Sequence, residues 1–274
     1  MKTTLYWVLA VIITIAAAYY QRKTGPTRPK KVEFTISNIN YTCKLLRTHG
    51  GDEDHEVVLE IPDTLINGSL FFKRYPTNDA WTEVKMERRN DELVAHLPHQ
   101  PAAGKLTYYI QLTSKNEVVD VSSDVPVVIR FKGSVPAYIM LPHILLMFFS
   151  MLLSNLAGLL ASVKHRRHIF YGKLTLALFF VGGLILGPLV QFHAFGEAWT
   201  GIPFGWDLTD NKTLISFVFW VAAVAMNWKK DRPAYTLLAA VVLLFVYSIP
   251  HSMFGSELDY SSGEVVQGFI NFIR

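Results

Sequence analysis

The sequence predicts a membrane protein of mixed β and α structure, in which an N-terminal transmembrane helix and a β-sandwich precede a four-helix transmembrane bundle. Three observations support this fold class. The 274-residue chain is 51% hydrophobic and only 18% charged, a combination typical of integral membrane proteins. Short runs with alternating apolar residues occupy residues 32–134, as β-strands require. Long apolar runs lie on both sides of that region, so we expect a β domain between two membrane-embedded parts.

Residues 1–20 contain the apolar run TTLYWVLAVIITIAAAYY, which is just long enough to cross a thin hydrocarbon core. The run is either an uncleaved anchor or a signal peptide. Alanines at 16–18 supply the small residues that a signal peptidase requires, whereas Tyr19 and Tyr20 are typical of a membrane interface. We favour the anchor. Residues 21–31 then form a basic linker that contains proline and glycine.

The region 32–134 has a hydrophobic period of two. Every second residue from Leu106 to Leu112 is apolar, as in a half-buried strand. Further strands are predicted at 32–37, 56–61, 69–74, 93–96 and 125–131, with turn residues between them. About seven short strands in a region of this length indicate a β-sandwich of immunoglobulin or fibronectin type III character.

Aromatic and histidine side chains of the β domain have ordinary structural interpretations. We interpret Trp81, Tyr108 and Tyr109 as buried core residues rather than as a platform for a ligand. Three histidines lie in or beside predicted turns, and we interpret them as solvated: His55, His96 and His99. We also expect the sandwich as a whole to recognise a protein partner.

The region 135–251 contains four apolar segments that can each form a transmembrane helix, at 136–163, 173–192, 213–228 and 233–250. Short basic loops follow the first and third segments, KHRRH and KKDR. Two spans separate these loops, so they share one side, and the positive-inside rule makes that side cytoplasmic. The linker 21–31 favours the opposite orientation, but it flanks a long translocated domain and therefore constrains orientation less.

This topology places the β domain, the loop 193–212 and the C-terminal tail 252–274 on the extracytoplasmic side of the cell (inner) membrane. Three histidines then fall near the outward face: His143, His193 and His251. Neutral imidazoles that converge there suit a haem or a metal ion. The alternative is that each is an interfacial residue at a helix end. The residues that follow His143 at helical spacing are Met147, Ser150 and Ser154, a stripe that should face protein, cofactor or water.

The loop between the second and third segments of this region is rich in aromatic, acidic and glycine residues. Its candidate site residues are Trp199, Trp206, Asp207 and Asp210. Loops of fixed shape at a membrane surface are common places for binding chemistry. In the simpler interpretation the tryptophans belong to an interfacial belt, and the acids begin a helix that Thr209 or Asp210 caps.

Residues 196–217, GEAWTGIPFGWDLTDNKTLISF, resemble the tryptophan-rich haem-handling loop, the WWD motif, of cytochrome c maturation membrane proteins. Trp206 and Asp207 match the Trp-Asp pair of that motif, and Asp210 matches the acid three residues later. Trp199 stands for the leading tryptophan, one residue further upstream than in that motif. A middle tryptophan is missing, and Leu208 replaces the usual proline. The remaining matches are Leu214, Ile215, Ser216 and Phe217. The resemblance implies a haem cofactor, with His143 and His251 as its ligands on either side of the loop.

Other classes of function have little support. The single cysteine, Cys43, excludes an internal disulfide and a thiolate zinc cluster. No nucleic-acid motif, HExxH sequence, phosphate-binding glycine loop or serine-histidine-acid arrangement is evident, so the sequence does not favour an enzyme. We expect a lipid-embedded protein that binds haem or a metal between His143, His193 and His251 and recognises a partner through its sandwich. The alternative is a cofactor-free receptor or scaffold.

Overall fold

The computed structural model describes residues 2–115, 117–250 and 255–266. These residues divide into two compact units. The helical unit comprises residues 2–26, 135–250 and 255–256, and the β unit comprises residues 27–115, 117–134 and 257–266. Helices and sheets are therefore segregated, and the combination of the two that the sequence predicts is confirmed.

The β unit is built from short strands. They are β1 (Lys30–Ile36), β2 (Ile39–Leu45), β3 (Thr48–Gly50), β4 (His55–Glu60), β5 (Asn67–Arg74), β6 (Thr82–Lys85), β7 (Glu87–Arg89), β8 (Glu92–Leu97), β9 (Lys105–Ser114), β10 (Glu117–Val121), β11 (Val127–Lys132), β12 (Glu257–Leu258) and β13 (Val265–Val266). The largest sheet has the order β3-β11-β9-β5-β6, and β10 also pairs with β9. A second sheet has the order β4-β8-β7, while β1 pairs with β2 and β12 with β13.

Alternating residues of both larger sheets pack into one hydrophobic core, because strand side chains point alternately to opposite faces. The alternation predicted for 106–112 is confirmed in β9, whose four fully buried residues are Leu106, Tyr108, Ile110 and Leu112. The Tyr108 hydroxyl donates a hydrogen bond to the Leu46 carbonyl at 2.9 Å. The core interpretation of Tyr108 is therefore right.

The core interpretation is wrong for Trp81, whose side chain is exposed. Its ring meets the edge of Tyr109 at a centroid distance of 5.0 Å, and Tyr109 stacks on Phe71 at 4.9 Å. The ammonium group of Lys73 lies 5.1 Å from the centre of the Trp81 ring. We call Phe71, Trp81 and Tyr109 the aromatic cluster. Alternation explains its exposure, since Phe71 and Tyr109 neighbour core residues and so face the other side of the sheet.

Part of the C-terminal tail completes the β unit. The Leu258 amide donates to the Ala103 carbonyl at 3.2 Å, and the Tyr260 hydroxyl accepts a hydrogen bond from the Lys105 amide at 3.0 Å. Lys105 also forms a largely buried ion pair with Glu257. Residues 257–266, which the sequence presented as a separate tail, therefore belong to the same compact unit as the strands before the bundle.

The helical unit contains α1 (Lys2–Thr24), α2 (Ala137–Ser162), α3 (His168–Phe179), a π-helical segment (Phe180–Leu186), α4 (Gly187–Phe195), α5 (Leu208–Met226) and α6 (Pro233–Ser248). Four described helical stretches are long and apolar enough to cross a membrane: Thr3–Thr24, Ala137–Ser162, His168–Phe195 and Leu208–Met226. The final helix, α6, has 16 residues; at about 1.5 Å per residue it is shorter than a typical hydrocarbon core of about 30 Å.

The first helix packs against α2 within this unit. Asn155 of α2 donates a hydrogen bond to the Thr14 hydroxyl at 2.9 Å, and Thr14 in turn donates to the Ala10 carbonyl at 2.7 Å. Ala10 also packs with apolar residues of α2. Interhelical bonds of this kind favour association of helices in lipid, so α1 is an integral part of the described bundle.

The bundle has two chemically different ends. At one end, Gln21 of α1 donates to the Tyr247 carbonyl and Lys212 of α5 donates to the Ile249 carbonyl, each at 2.9 Å. We call this the loop end, because the loop between α4 and α5 lies there. At the opposite end, His168 lies 2.9 Å from the Asp231 carboxylate. We call this the turn end, and it brings the two short basic loops together.

The solvated interpretation of His55 is wrong, because His55 is buried at the start of β4. Its Nδ1 lies 3.2 Å from Nδ1 of His49, so at least one of the two rings must be a neutral acceptor. Burial, followed by repulsion from His49, lowers the pKa of His55 to about 4. The unfolded chain therefore binds more protons than the folded chain between that value and the ordinary histidine pKa of about 6.5.

We expect the free energy of unfolding to fall by up to about 3 kcal/mol as the pH is lowered from 7 to 4, because His55 must be protonated at a cost. Replacing it with glutamine, His55→Gln, should flatten that slope in urea unfolding of the detergent-purified chain. The matched control is His96→Gln, since His96 is exposed on β8. An unchanged slope in the His55 variant would contradict this account.

Candidate functional site

The connection between α4 and α5, residues 196–207, is held by hydrogen bonds to side chains of both flanking helices; we call it the 196–207 loop. The Asp210 carboxylate accepts hydrogen bonds from the Thr200 amide at 2.6 Å and the Thr200 hydroxyl at 3.2 Å. It also accepts one from the Gln191 amide group at 3.1 Å. Gln191 belongs to α4 and Asp210 to α5, so one buried carboxylate ties the loop to both flanking helices.

Asp207 caps the N-terminus of α5. Its carboxylate accepts hydrogen bonds from the Thr209 amide at 2.7 Å and the Asp210 amide at 3.2 Å, which satisfies two of the amides that a helix start leaves without partners. The helix start was expected here, but the cap is Asp207 rather than Thr209 or Asp210. Both acids of the Trp-Asp motif region are therefore occupied with hydrogen bonds to their own chain.

Gly201 allows the loop to pass very close to α5. A Cβ atom at this position would lie 2.6 Å from Cβ of Asp210 and 2.9 Å from Oδ1 of Asn211, closer than real Cβ contacts allow. That Asn211 oxygen accepts a hydrogen bond from the Ile202 amide at 2.7 Å. Close packing thus gives a physical reason for at least one of the glycines that crowd this loop.

The two tryptophans of the loop have different environments. Trp199 is partly buried and donates from its indole nitrogen to the Ile202 carbonyl at 3.1 Å. Trp206 is 66% exposed and Phe204 is 81% exposed. The hydrogen-bonded loop therefore presents a fixed apolar surface, made by Phe204 and Trp206, at the loop end of the bundle.

His143 lies in the second turn of α2 and contacts the π-helical segment. Its Nδ1 is 2.9 Å from the carbonyl oxygen of Gly182. Because a carbonyl can only accept, Nδ1 carries a hydrogen, and in the neutral ring the lone pair then lies on Nε2. Across the described residues, no hydrogen bond is found for that Nε2. The contact therefore fixes the ring in the tautomer whose Nε2 can act as a ligand.

The π-helical segment provides the partner of His143. The Gly182 carbonyl also accepts the Gly187 amide, five residues further on, the bonding pattern of a π-helix. A Cβ at Gly182 would lie 2.9 Å from Cβ of Leu146, and one at Gly183 would lie 3.2 Å from Thr213. Glycines therefore let this segment approach both α2 and α5. The approach at Gly182 is the closer of the two.

The stripe that follows His143 on α2 faces protein. Its three members are buried: Met147, Ser150 and Ser154. The Ser154 hydroxyl has no hydrogen-bond partner among the described residues, whereas Ser150 donates to the Met147 carbonyl at 3.1 Å. The stripe is therefore buried in the helical unit, as expected for residues that do not face lipid.

The other two predicted histidines are less defined. His193 lies in the last turn of α4, half-buried, with its ring 5.9 Å from that of Phe192. His251 lies outside the described residues. Within the part of the chain that is described, no group of three or more histidine, cysteine, aspartate or glutamate side chains is arranged to hold a metal ion. Of the two predicted ligands that the structure describes, His143 is the one with a ring nitrogen hydrogen-bonded to a backbone carbonyl.

Two buried polar groups of the bundle were missed by sequence reasoning. Lys212 is buried near the start of α5 and donates to the Ile249 carbonyl at the end of α6. Its neighbours in the sequence, residues 209–213, are polar, so no local signal sets it apart as buried. His168 is fully buried between the Thr236 hydroxyl, at 3.0 Å, and Asp231. It was read as part of a basic loop, and no local signal distinguishes it from its charged neighbours.

We expect Asp210→Ala to destabilise the helical unit by about 1–3 kcal/mol, because the Thr200 amide and the Gln191 side chain lose a buried acceptor. The same substitution should open the 196–207 loop. Both effects can be measured, as the thermal unfolding midpoint in detergent and as the rate of limited proteolysis within the loop.

The matched control is Glu197→Ala, which removes an exposed carboxylate from the same loop. This variant should unfold and be cleaved as the parent protein is. Equal behaviour of the two variants would show that the Asp210 hydrogen bonds do not hold the loop.

The chain has also been compared with known proteins. No protein-family model, curated protein or solved structure matches it. The resemblance of residues 196–217 to the haem-handling loop therefore stays a prediction that rests on those residues alone. What the protein does has to be inferred from its own side chains and their contacts.

Proposed function

We propose that this protein is a multi-pass inner-membrane protein that binds a haem or a metal ion at the loop end of its helical unit, with His143 as a ligand. The observation that carries this proposal is the hydrogen bond from His143 Nδ1 to the Gly182 carbonyl. Ligating histidines commonly donate their second ring nitrogen to a backbone carbonyl, which fixes the ring and keeps the other nitrogen basic. His143 has this arrangement.

The residues around His143 fit such a group in other respects. The ring is partly buried beside Gly187, since a Cβ there would lie 3.9 Å from its Cε1 atom. The apolar surface of Phe204 and Trp206 belongs to the same end of the bundle and suits the face of a macrocycle. A second ligand would come from His193 or His251. A bound haem or metal would supply redox or coordination chemistry, for cofactor handling, electron transfer or complex assembly.

We assign Asp207 and Asp210 a supporting role. The Asp210 carboxylate is occupied by hydrogen bonds from Thr200 of the loop, and the Asp207 carboxylate by amides at the start of α5. They would therefore hold the loop and the helix start in place instead of contacting a cofactor directly. The resemblance implies that this region handles haem. Trp206 is the exposed residue of the motif and could therefore contact the haem face. Trp199 positions the loop through its bond to the Ile202 carbonyl.

The β unit, which we propose to be an immunoglobulin- or fibronectin-like sandwich on the extracytoplasmic side, would recognise a protein partner. The 196–207 loop would face the same side, as the basic turn-end loops favour by the positive-inside rule. Exposed aromatic side chains are enriched where proteins bind one another. The aromatic cluster is the surface of the β unit that best fits this role.

A cofactor-free receptor or scaffold is the second candidate. Two observations favour it: the loop acids are used structurally, and the described residues contain no ready metal cluster. In that case recognition would rest on the aromatic cluster with the cation of Lys73 beside it. The two candidates differ in whether the purified protein carries a coloured or metallic group.

We expect protein purified in detergent, from cells with intact haem synthesis, to show a Soret band or a stoichiometric metal. The variant His143→Ala should lose most of that occupancy, because it removes the prepared ligand nitrogen. Absorption spectroscopy and metal analysis on the same sample measure both quantities, with the thermal unfolding midpoint as a check of folding.

The control variant is His165→Ala, which removes an exposed histidine at the turn end and should leave occupancy unchanged. Undiminished occupancy in His143→Ala would overturn the ligand assignment. A colourless, metal-free parent protein would overturn the cofactor proposal and favour the receptor. Trp81→Ala is then the variant with which to test partner binding.

A further inference from the structure

An open pocket of about 530 Å³ lies at the turn end, between the end of α5 and the start of α6. Ala225, Met226 and Trp228 give it apolar walls, and Lys229, Lys230 and Arg232 give it three cations. This pocket is unrelated to the proposed ligand site, because His143 and the 196–207 loop belong to the loop end. Its lining combines a concentrated positive charge with hydrocarbon surface.

The cations of the pocket outnumber the single carboxylate of the same turn by three to one. The carboxylate in the same turn, Asp231, is engaged by His168 at 2.9 Å. In the described parts of the chain, no ion pair joins Lys229, Lys230 or Arg232 to a carboxylate. The ammonium group of Lys173 adds a fourth cation, 5.0 Å from the centre of the Trp228 ring.

The turn that carries these cations has a defined shape. The Asn227 amide group donates to the Ala223 carbonyl at 2.8 Å, and its oxygen accepts the Arg232 amide at 2.7 Å. The contact between His168 and Asp231 fixes the same turn from α3. A turn held on both sides displays its charges in a constant arrangement, which lowers the entropic cost of binding an anion.

The pocket lies where the headgroups of a bilayer would be. The apolar helix α5 ends at Met226 and α6 begins at Pro233, so the intervening turn marks the end of hydrocarbon contact. Trp228 is 70% exposed, as is common for tryptophans that sit at the membrane interface. An anion held by the three cations would therefore be at the depth of lipid phosphates.

We propose that this pocket binds the phosphate headgroup of an acidic phospholipid. The cations Lys229, Lys230 and Arg232 take the phosphate, while Met226 and Trp228 contact the glycerol and the first acyl carbons. Basic pockets at the ends of transmembrane helices bind acidic lipids in this way, with cations on the headgroup and apolar side chains on the hydrocarbon. Soluble phosphate offers the same anion without acyl chains, so the apolar walls favour the lipid.

Native mass spectrometry of the full detergent-purified chain tests this proposal, with phosphatidylglycerol, phosphatidylcholine and inorganic phosphate as probes. We expect phosphatidylglycerol to bind more tightly than phosphatidylcholine. The double variant Lys229→Gln with Lys230→Gln should weaken binding roughly 30-fold at low salt, because each surface cation contributes to attraction of an acidic lipid. The matched control is Arg22→Gln with Lys23→Gln, an adjacent exposed pair at the end of α1, which should retain parental affinity.

Trp228→Leu provides a second test that keeps all the charges of the turn, and it should also weaken phosphatidylglycerol binding. Equal affinities for the two lipids, or equal losses in both double variants, would overturn the proposal in favour of unspecific attraction. Phosphate that displaces the lipid and binds with the same dependence on Lys229 and Lys230 would overturn the lipid as the ligand. Thermal unfolding midpoints equal to that of the parent protein show that the variants are folded.

Discussion

The helical unit depends on hydrogen-bond partners for the backbone amides and carbonyls at its helix ends and in its loop. A carbonyl or amide in apolar surroundings has no water to bond, so the protein must supply a partner. Gln21 and Lys212 donate to carbonyls at the end of α6, His143 donates to the π-helical segment, and Asp210 accepts from the 196–207 loop. Four polar side chains in the bundle thus act first on the main chain.

This constraint narrows the chemistry available at the loop end. A carboxylate that already accepts several hydrogen bonds is a poor candidate for a cofactor ligand, which is why Asp207 and Asp210 are better understood as supports. The hydrogen bond of His143 has the opposite effect, because it removes one nitrogen from competition and leaves the other free. In the proposed site, this structural contact would also prepare the ring as a ligand.

Cations lie at both ends of the bundle. The loop end has Arg22, Lys23 and Lys212 beside hydrogen-bonded carboxylates and exposed aromatic rings. The turn end has several cations and a carboxylate, Asp231, that His168 engages. The proposed orientation therefore rests on the two short basic loops, to which the positive-inside rule gives more weight, and the proposed lipid pocket uses part of the charge of the second loop.

Local pattern in the sequence determined the alternation of β9, the apolar helices and the helix start near Asp207, because each depends on neighbours within a few residues. It did not reveal the burial of His55 or His168, the pairing of residues 257–266 with the β unit, or the partner of Asp210 in α4. Those features depend on residues distant in the chain, which only folding brings together. The tertiary structure also decided that His143 meets Gly182, since a π-helical turn exposes a carbonyl that no period of apolar residues announces.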